Sequence, residues 1–446
     1  MKSYKILISY ICFLLTLGCS FDNKTGIWNE HNKKVIETSK KGEERKDILK
    51  KIQKYDQEII SNNHINISSV KQNSNWKQIN LLSTNNVGNL FYENKKNKIL
   101  KSKKIGKSYS NIIDKTFEPL IVNDQIYFYD PHGNIYNYSI LTKNLKWKFN
   151  FYKKKYKFIP IKLNLIINNQ NLLVSDNLGY IYNININTGK LLWAKNQGIP
   201  FNSEIKVSED KVFMLNQDNK FYIFNKNNGN KILDFETFPE FLETHNKQSL
   251  SIDSENLYFS TTSGRIFSIN YNDYKVNWLT NIKKINVLED TPLFFSSSIV
   301  RKNNSIFIST SQVTLSLNSQ SGKVNWEFPI GTNIRPININ NLLFLTTKNG
   351  YIICLNSDNG KVIWSNKLFN DNKKFQKKTI GNFNSLLIIS NQIFITTENG
   401  YFLFINPQNG KLLSYAKVTN GFFSNPSVSN GKIYIVDKNL RVLSFN

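Results

Sequence analysis

At 446 residues, 40% hydrophobic and 13% aromatic, the chain has too much apolar material for a disordered polypeptide and enough for a large core. Its charge is lopsided, with 58 Lys and Arg against 32 Asp and Glu for a formal +26. Yet the lysines run through the whole chain among many asparagines, and arginine, the better phosphate fork, is scarce, so the composition argues against a nucleic-acid partner.

In chain order, Lys2 and Lys5 precede an apolar run from Ile6 to Leu17, and Gly18-Cys19 follows. The run is too short to cross a bilayer and its charge lies ahead of it, so residues 1–18 are predicted to be a signal peptide. A small residue directly before Cys19 resembles a lipoprotein-processing box, which implies lipidation at Cys19 after cleavage. Thr16 departs from that box, which usually carries Leu there. Ser20 after the cysteine is the residue that, in bacterial lipoproteins, favours the outer membrane over the inner.

Residues 19–71 read as a polar tether of mixed charge, with Lys33-Lys34, Lys40-Lys41, Glu43-Glu44 and Lys50-Lys51. Ile48, Leu49, Ile52, Ile59 and Ile60 recur loosely at helical spacing, compatible with a short helix or with a structureless linker.

From about residue 72 to 446 one phrase repeats. Gly133 and Trp147, Gly179 and Trp193, Gly264 and Trp278, and Gly350 and Trp364 each stand fourteen residues apart. Asn219 to Leu233, Gln312 to Trp326 and Gly400 to Ser414 keep the same register. Between the ends lie an alternating strand, such as Tyr180-Ile181-Tyr182-Asn183-Ile184, and a turn, such as Thr188-Gly189-Lys190. A second phrase precedes each copy: apolar strand, Asn-Asp or Asn-Gly turn, apolar strand, as in Leu120 to Phe128 and around Asn430-Gly431. Such pairs tolerate the positive φ of a hairpin turn.

The second phrase occurs eight times and the first only seven, because the last copy runs out at Asn446. A ring whose last blade is completed by an N-terminal strand explains the missing half and leaves no free sheet edge. The expected fold is therefore all-β: an eight-bladed β-propeller of four-stranded antiparallel blades. Its closing strand is predicted around Trp76, the one leftover tryptophan far enough from the N-terminus. An open solenoid needs no such missing half.

No catalytic, metal or cofactor-binding residue is expected. His31, His64, His132 and His245 show no metal-ligand spacing. No Ser, His and Asp set stands in a nucleophile context. Asp124, Asp210, Asp253 and Asp437 sit in or beside turns, where Asp is commonly structural. Cys354 stands alone in an apolar strand, so a disulfide is not expected.

The repeat Gly-x-x-x-x-x-(Asn/Asp)-x-x-(Thr/Asn)-Gly-Lys-x-x-Trp resembles that of the pyrroloquinoline-quinone-type propellers. The stretch from Gly400 through Asn409-Gly410-Lys411 to Gly421-Phe422-Phe423-Ser424-Asn425-Pro426 and Gly431-Lys432 is similar to the C-terminal end of the BamB lipoprotein family. That resemblance implies a non-enzymatic, lipid-anchored scaffold of outer-membrane β-barrel assembly. It would bind the periplasmic POTRA region of BamA from the periplasmic face of the outer membrane. By the family's contact loops, the implied contacts are Phe241, Leu242 and His245 in one loop and Glu289 and Asp290 in the next. His245 stands where the family has a basic residue, and Phe238, Phe241 and Leu242 are equally suited to capping a blade.

Two other classes share the repeat. Quinoprotein dehydrogenases carry neighbouring cysteines over the cofactor, and with Cys12 in the signal only Cys19 and Cys354 remain here. A periplasmic sensor or polymer-binding propeller is the third class.

Overall fold

The hairpins form where the sequence supplies alternating apolar strands joined by residues that accept a left-handed backbone. Asn123 and Asp124 (φ 47° and 61°) turn the hairpin of Leu120–Val122 with Gln125–Tyr129, and Asn430 and Gly431 (φ 47° and 70°) that of Ser427–Ser429 with Lys432–Val436. In this computed structural model the described residues are 56–61, 64–108, 117–152, 156, 158–237, 247–282, 295–369 and 375–446.

Eight antiparallel sheets of four strands follow one another, as the repeats predict. Blade 1 consists of Leu120–Val122, Gln125–Tyr129, Asn134–Ser139 and Leu145–Asn150. First strands of neighbouring blades meet around the ring, and Ser427–Ser429 of blade 8 comes back against Leu120–Val122 of blade 1. The central strands are buried on both faces, as Val212-Phe213-Met214-Leu215 in blade 3 illustrates.

The tryptophans lock one blade to the next. Trp147 donates its Nε1 proton to the Ile186 carbonyl of blade 2 at 2.8 Å. A Cβ on Gly189 (φ 69°) would come within 2.8 Å of the same indole, so this turn needs glycine both for its backbone and for its neighbour. Trp193, Trp278 and Trp326 repeat the contact with the carbonyls of Lys226, Ser319 and Ser357.

The closing strand is Lys98–Lys101, paired antiparallel with Val442–Phe445, and not the segment around Trp76. Leu100 pairs with Ser444 and takes the place that tryptophan holds in other blades. Trp76 instead forms a single bridge to Ile121 on the first strand of blade 1. Its indole is fully buried and donates to Glu118 Oε2 at 2.8 Å. A hydrogen bond to a buried carboxylate, rather than the repeat register, decides its position.

Of the loosely helical isoleucines, Ile59 and Ile60 lie among the described residues. Ile59 is extended and bridges Ser365 of blade 6. Further on, the backbone N–H of Ile65 donates to the side chain of Gln408 and its carbonyl accepts from it.

Candidate functional site

The centre of a propeller is where an active site would assemble from distant blades, and here the chain itself occupies it. Residues 73–90 meet the innermost part of every blade. Asn430 donates its backbone N–H to the Asn73 carbonyl in blade 8, and Trp76 pairs with Ile121 in blade 1. Ile167 of blade 2 donates to Lys77, Ile252 of blade 4 to Ser83, and Arg301 of blade 5 to Thr84. Asn89–Leu90 then adds a parallel fifth strand to blade 7 beside Phe383–Ile389. Blades 3 and 6 join through side chains.

Those side chains come from one repeated position. Glu118, Glu204, Gln248, Ser298 and Arg335 each stand two residues before the first strand of blades 1, 3, 4, 5 and 6. Asn80, itself left-handed at φ 62°, gathers four of them. Its backbone N–H donates to Glu118 Oε2 at 2.7 Å. Its Nδ2 donates to Glu204 Oε1 at 3.3 Å and Ser298 Oγ at 3.1 Å. Arg335 Nη1 donates to its Oδ1 at 2.8 Å. Asn85 makes a second node, donating to the carbonyls of Leu250 and Ile299 and accepting from Lys206 Nζ at 2.6 Å.

The cluster is buried and formally neutral, with two carboxylates against two cations. Lys206 Nζ stands 3.3 Å from Glu204 Oε2. Burial raises the carboxyl of Glu118, opposed by the Arg335 charge. Burial lowers Lys206, opposed by Glu204, and lowers Arg335, opposed by Glu118 and Glu204. Each charge compensates the desolvation of its neighbours, so removing one leaves the others uncompensated. The arrangement pins the segment across the channel.

Cys19, Phe241, Leu242, His245, Glu289 and Asp290 all fall outside the described residues. The flanking strands put 238–246 between Lys231–Phe235 of blade 3 and Leu250–Ile252 of blade 4. Residues 283–294 come between Val276–Asn281 of blade 4 and Val300–Lys302 of blade 5. These are adjacent connections of the same type. The channel cluster was missed because its members are far apart in the chain.

Repeat, ring and interblade tryptophans together decide the fold. The chain is an eight-bladed β-propeller. The family model described as outer membrane protein assembly factor BamB matches residues 165–366. An uncharacterised protein of Rickettsia conorii is 26% identical over 266 residues, which is 57% of this chain and 63% of that protein. The chain thus spans less than two thirds of that relative. The crystal structure of BamB from Moraxella catarrhalis superposes with a TM-score of 0.61 at 14% identity, over 77% of this chain and all of that one. A europium-containing methanol dehydrogenase superposes as well, with a TM-score of 0.62 at 13% identity, over 82% of this chain and 89% of that one. At these identities both likenesses establish the fold alone.

Proposed function

We propose that this propeller is a non-enzymatic scaffold of outer-membrane β-barrel assembly. In this reading it is anchored through a lipid on Cys19 at the periplasmic face and binds the POTRA region of a BamA-like protein. The observation that carries the proposal is the occupied channel. Residues 73–90 fill the space in which a propeller enzyme would assemble a cofactor site, so activity is left to the outer surface. The match to the BamB family over 165–366 supports the same reading.

The contacts would come from Phe241, Leu242 and His245, with Glu289 and Asp290 in the neighbouring connection. An apolar anchor rimmed by charge is the usual make-up of a binding hot spot. The test is capture of the barrel-assembly protein from detergent-solubilised outer membranes. Leu242→Asp should shorten the complex lifetime, whereas Glu289→Lys with Asp290→Lys should slow association and lose its effect at high salt. Wild-type capture by both folded variants would remove this surface from the account. Cys19→Ser should release the protein from membranes, and unchanged retention would remove the anchor.

A further inference from the structure

In every blade the first and third strands run the same way, so the turns that leave them open on one face of the ring. The turns between third and fourth strands in blades 1 to 7, at 140–144, 186–190, 226–230, 271–275, 319–323, 357–361 and 406–411, form the outer rim of that face. Each contains one lysine, and only Asp273 and Asp358 among their residues are acidic. In blades 2, 4, 5, 6 and 7 the lysine holds one fixed position. The backbone carbonyls of Lys190, Lys275, Lys323, Lys361 and Lys411 accept the N–H of Asn185, Asn270, Asn318, Asn356 and Asn406 and so close the turn. Asn144 and Asn230 close the turns of blades 1 and 3 through the same bond, so the turn makes no demand on the lysine side chain. All five lysines are exposed. Among the described residues one carboxylate pairs with them, Asp273 with Lys275 at 3.4 Å.

Exposed aliphatic side chains accompany these cations. Leu141 lies in the blade 1 turn, and Leu145, Leu191, Leu192, Val276 and Leu413 directly follow their turns, all between 42% and 73% exposed. Carboxylates of the same face, such as Asp124, Asp210 and Glu255, stand in the turns between first and second strands, nearer the axis. The N-terminal segment also reaches the channel across this face. Ile65 bonds to Gln408 in the blade 7 rim turn, and the carbonyls of Asn66 and Asn73 accept from Asn340 and Asn430 in the inner turns of blades 6 and 8.

We infer that this rim seats the ring on a membrane surface of anionic lipid headgroups. Lysines spread around one face meet a flat charged sheet together, whereas a compact acidic protein meets only a few of them. The neighbouring leucines and valine enter the boundary between headgroups and acyl chains, where basic and aliphatic side chains act jointly. A nucleic acid offers those aliphatic groups no such place. The connections 238–246 and 283–294 leave their strands on the opposite face, which this seating turns away from the membrane. The inference rests on the rim and stands without a lipid on Cys19 and without the barrel-assembly reading.

Co-sedimentation of the full chain with vesicles tests it, with Cys19→Ser in every sample to keep any lipid on the protein out of the measurement. Binding is expected to vesicles of phosphatidylglycerol in phosphatidylcholine, weakening as salt rises, and not to phosphatidylcholine alone. Lys190→Glu, Lys323→Glu, Lys361→Glu and Lys411→Glu together should weaken binding at least about tenfold, because each lysine held near an anionic surface adds to the attraction. Their thermal midpoint should stay that of the parent. Lys162→Glu, Lys348→Glu, Lys378→Glu and Lys438→Glu, exposed on the opposite face, carry the same net charge and the same N-terminal residues and should bind like the parent. Absence of vesicle binding overturns the inference, as does a rim variant that binds like the parent or a control that loses binding equally. Binding of polyglutamate with none of the vesicles also overturns it, making the rim a dock for an acidic protein.

Discussion

Arg335 of blade 6 donates its Nη1 to the side-chain carbonyl of Asn80 at 2.8 Å, across 255 residues of chain. That bond joins the segment crossing the channel to the far side of the ring, within a cluster that also holds Glu118 and Glu204. Arg335→Ala should therefore cost roughly 3–5 kcal/mol, because it leaves the buried Glu118 carboxylate without the cation that opposes its desolvation. Asn80→Ala should cost about 1–3 kcal/mol for each buried partner it leaves unsatisfied. Urea unfolding monitored by tryptophan fluorescence measures both, and losses below about 1 kcal/mol, the range of ordinary surface changes, would contradict the pinning.

Glu118 gives the cluster a pH signature. Its carboxyl is raised by burial, with Arg335 opposing. A carboxyl raised in the folded state contributes stability that is complete below the unfolded pKa, about 4.3, and lost as pH climbs through the raised value. Glu118→Gln has no such titration. The stability of wild type minus variant should thus fall as pH rises out of the ordinary carboxylate range. Unfolding curves across that range check this, and a difference that stays flat or rises would contradict it.

Two glycines separate backbone strain from packing. Gly198 has φ 79° with open space where a Cβ would sit, whereas Gly189 has φ 69° with the Trp147 indole 2.8 Å away. Gly198→Ala should cost only the left-handed penalty, about 1–2 kcal/mol. Gly189→Ala adds displacement of Trp147 and should cost clearly more, with a shift in tryptophan fluorescence. Equal costs would mean that the indole does not rest on this turn.

Blade number was legible because glycine and tryptophan recur at a spacing set by one strand and one turn. The closing strand was not. Lys98-Ile99-Leu100-Lys101 carries neither residue, and Leu100 in the tryptophan slot is only visible from its pairing with Ser444. Trp76 looked like the missing copy by composition, yet its Nε1 bond to Glu118 takes it into the channel. The channel cluster was hidden for a related reason. Its position two residues before each first strand is a repeat signal, but it holds Glu, Gln, Ser or Arg in different blades. Complementarity to Asn80, not identity between blades, accounts for Glu118, Glu204, Ser298 and Arg335, whereas Gln248 donates to Asn219 instead.

The central claim is that the chain fills its own channel, and amide hydrogen exchange on the folded full chain tests it most directly. The amides of Trp76, Asn80, Ile252 and Arg301 donate respectively to Ile121, to the Glu118 carboxylate, to Ser83 and to Thr84. All four should exchange as slowly as the core amides of Phe213 and Ile353, opening only with global unfolding. Rapid exchange at these four sites in a ring that otherwise stays protected would mean that the channel is open, and the scaffold reading would lose its main support.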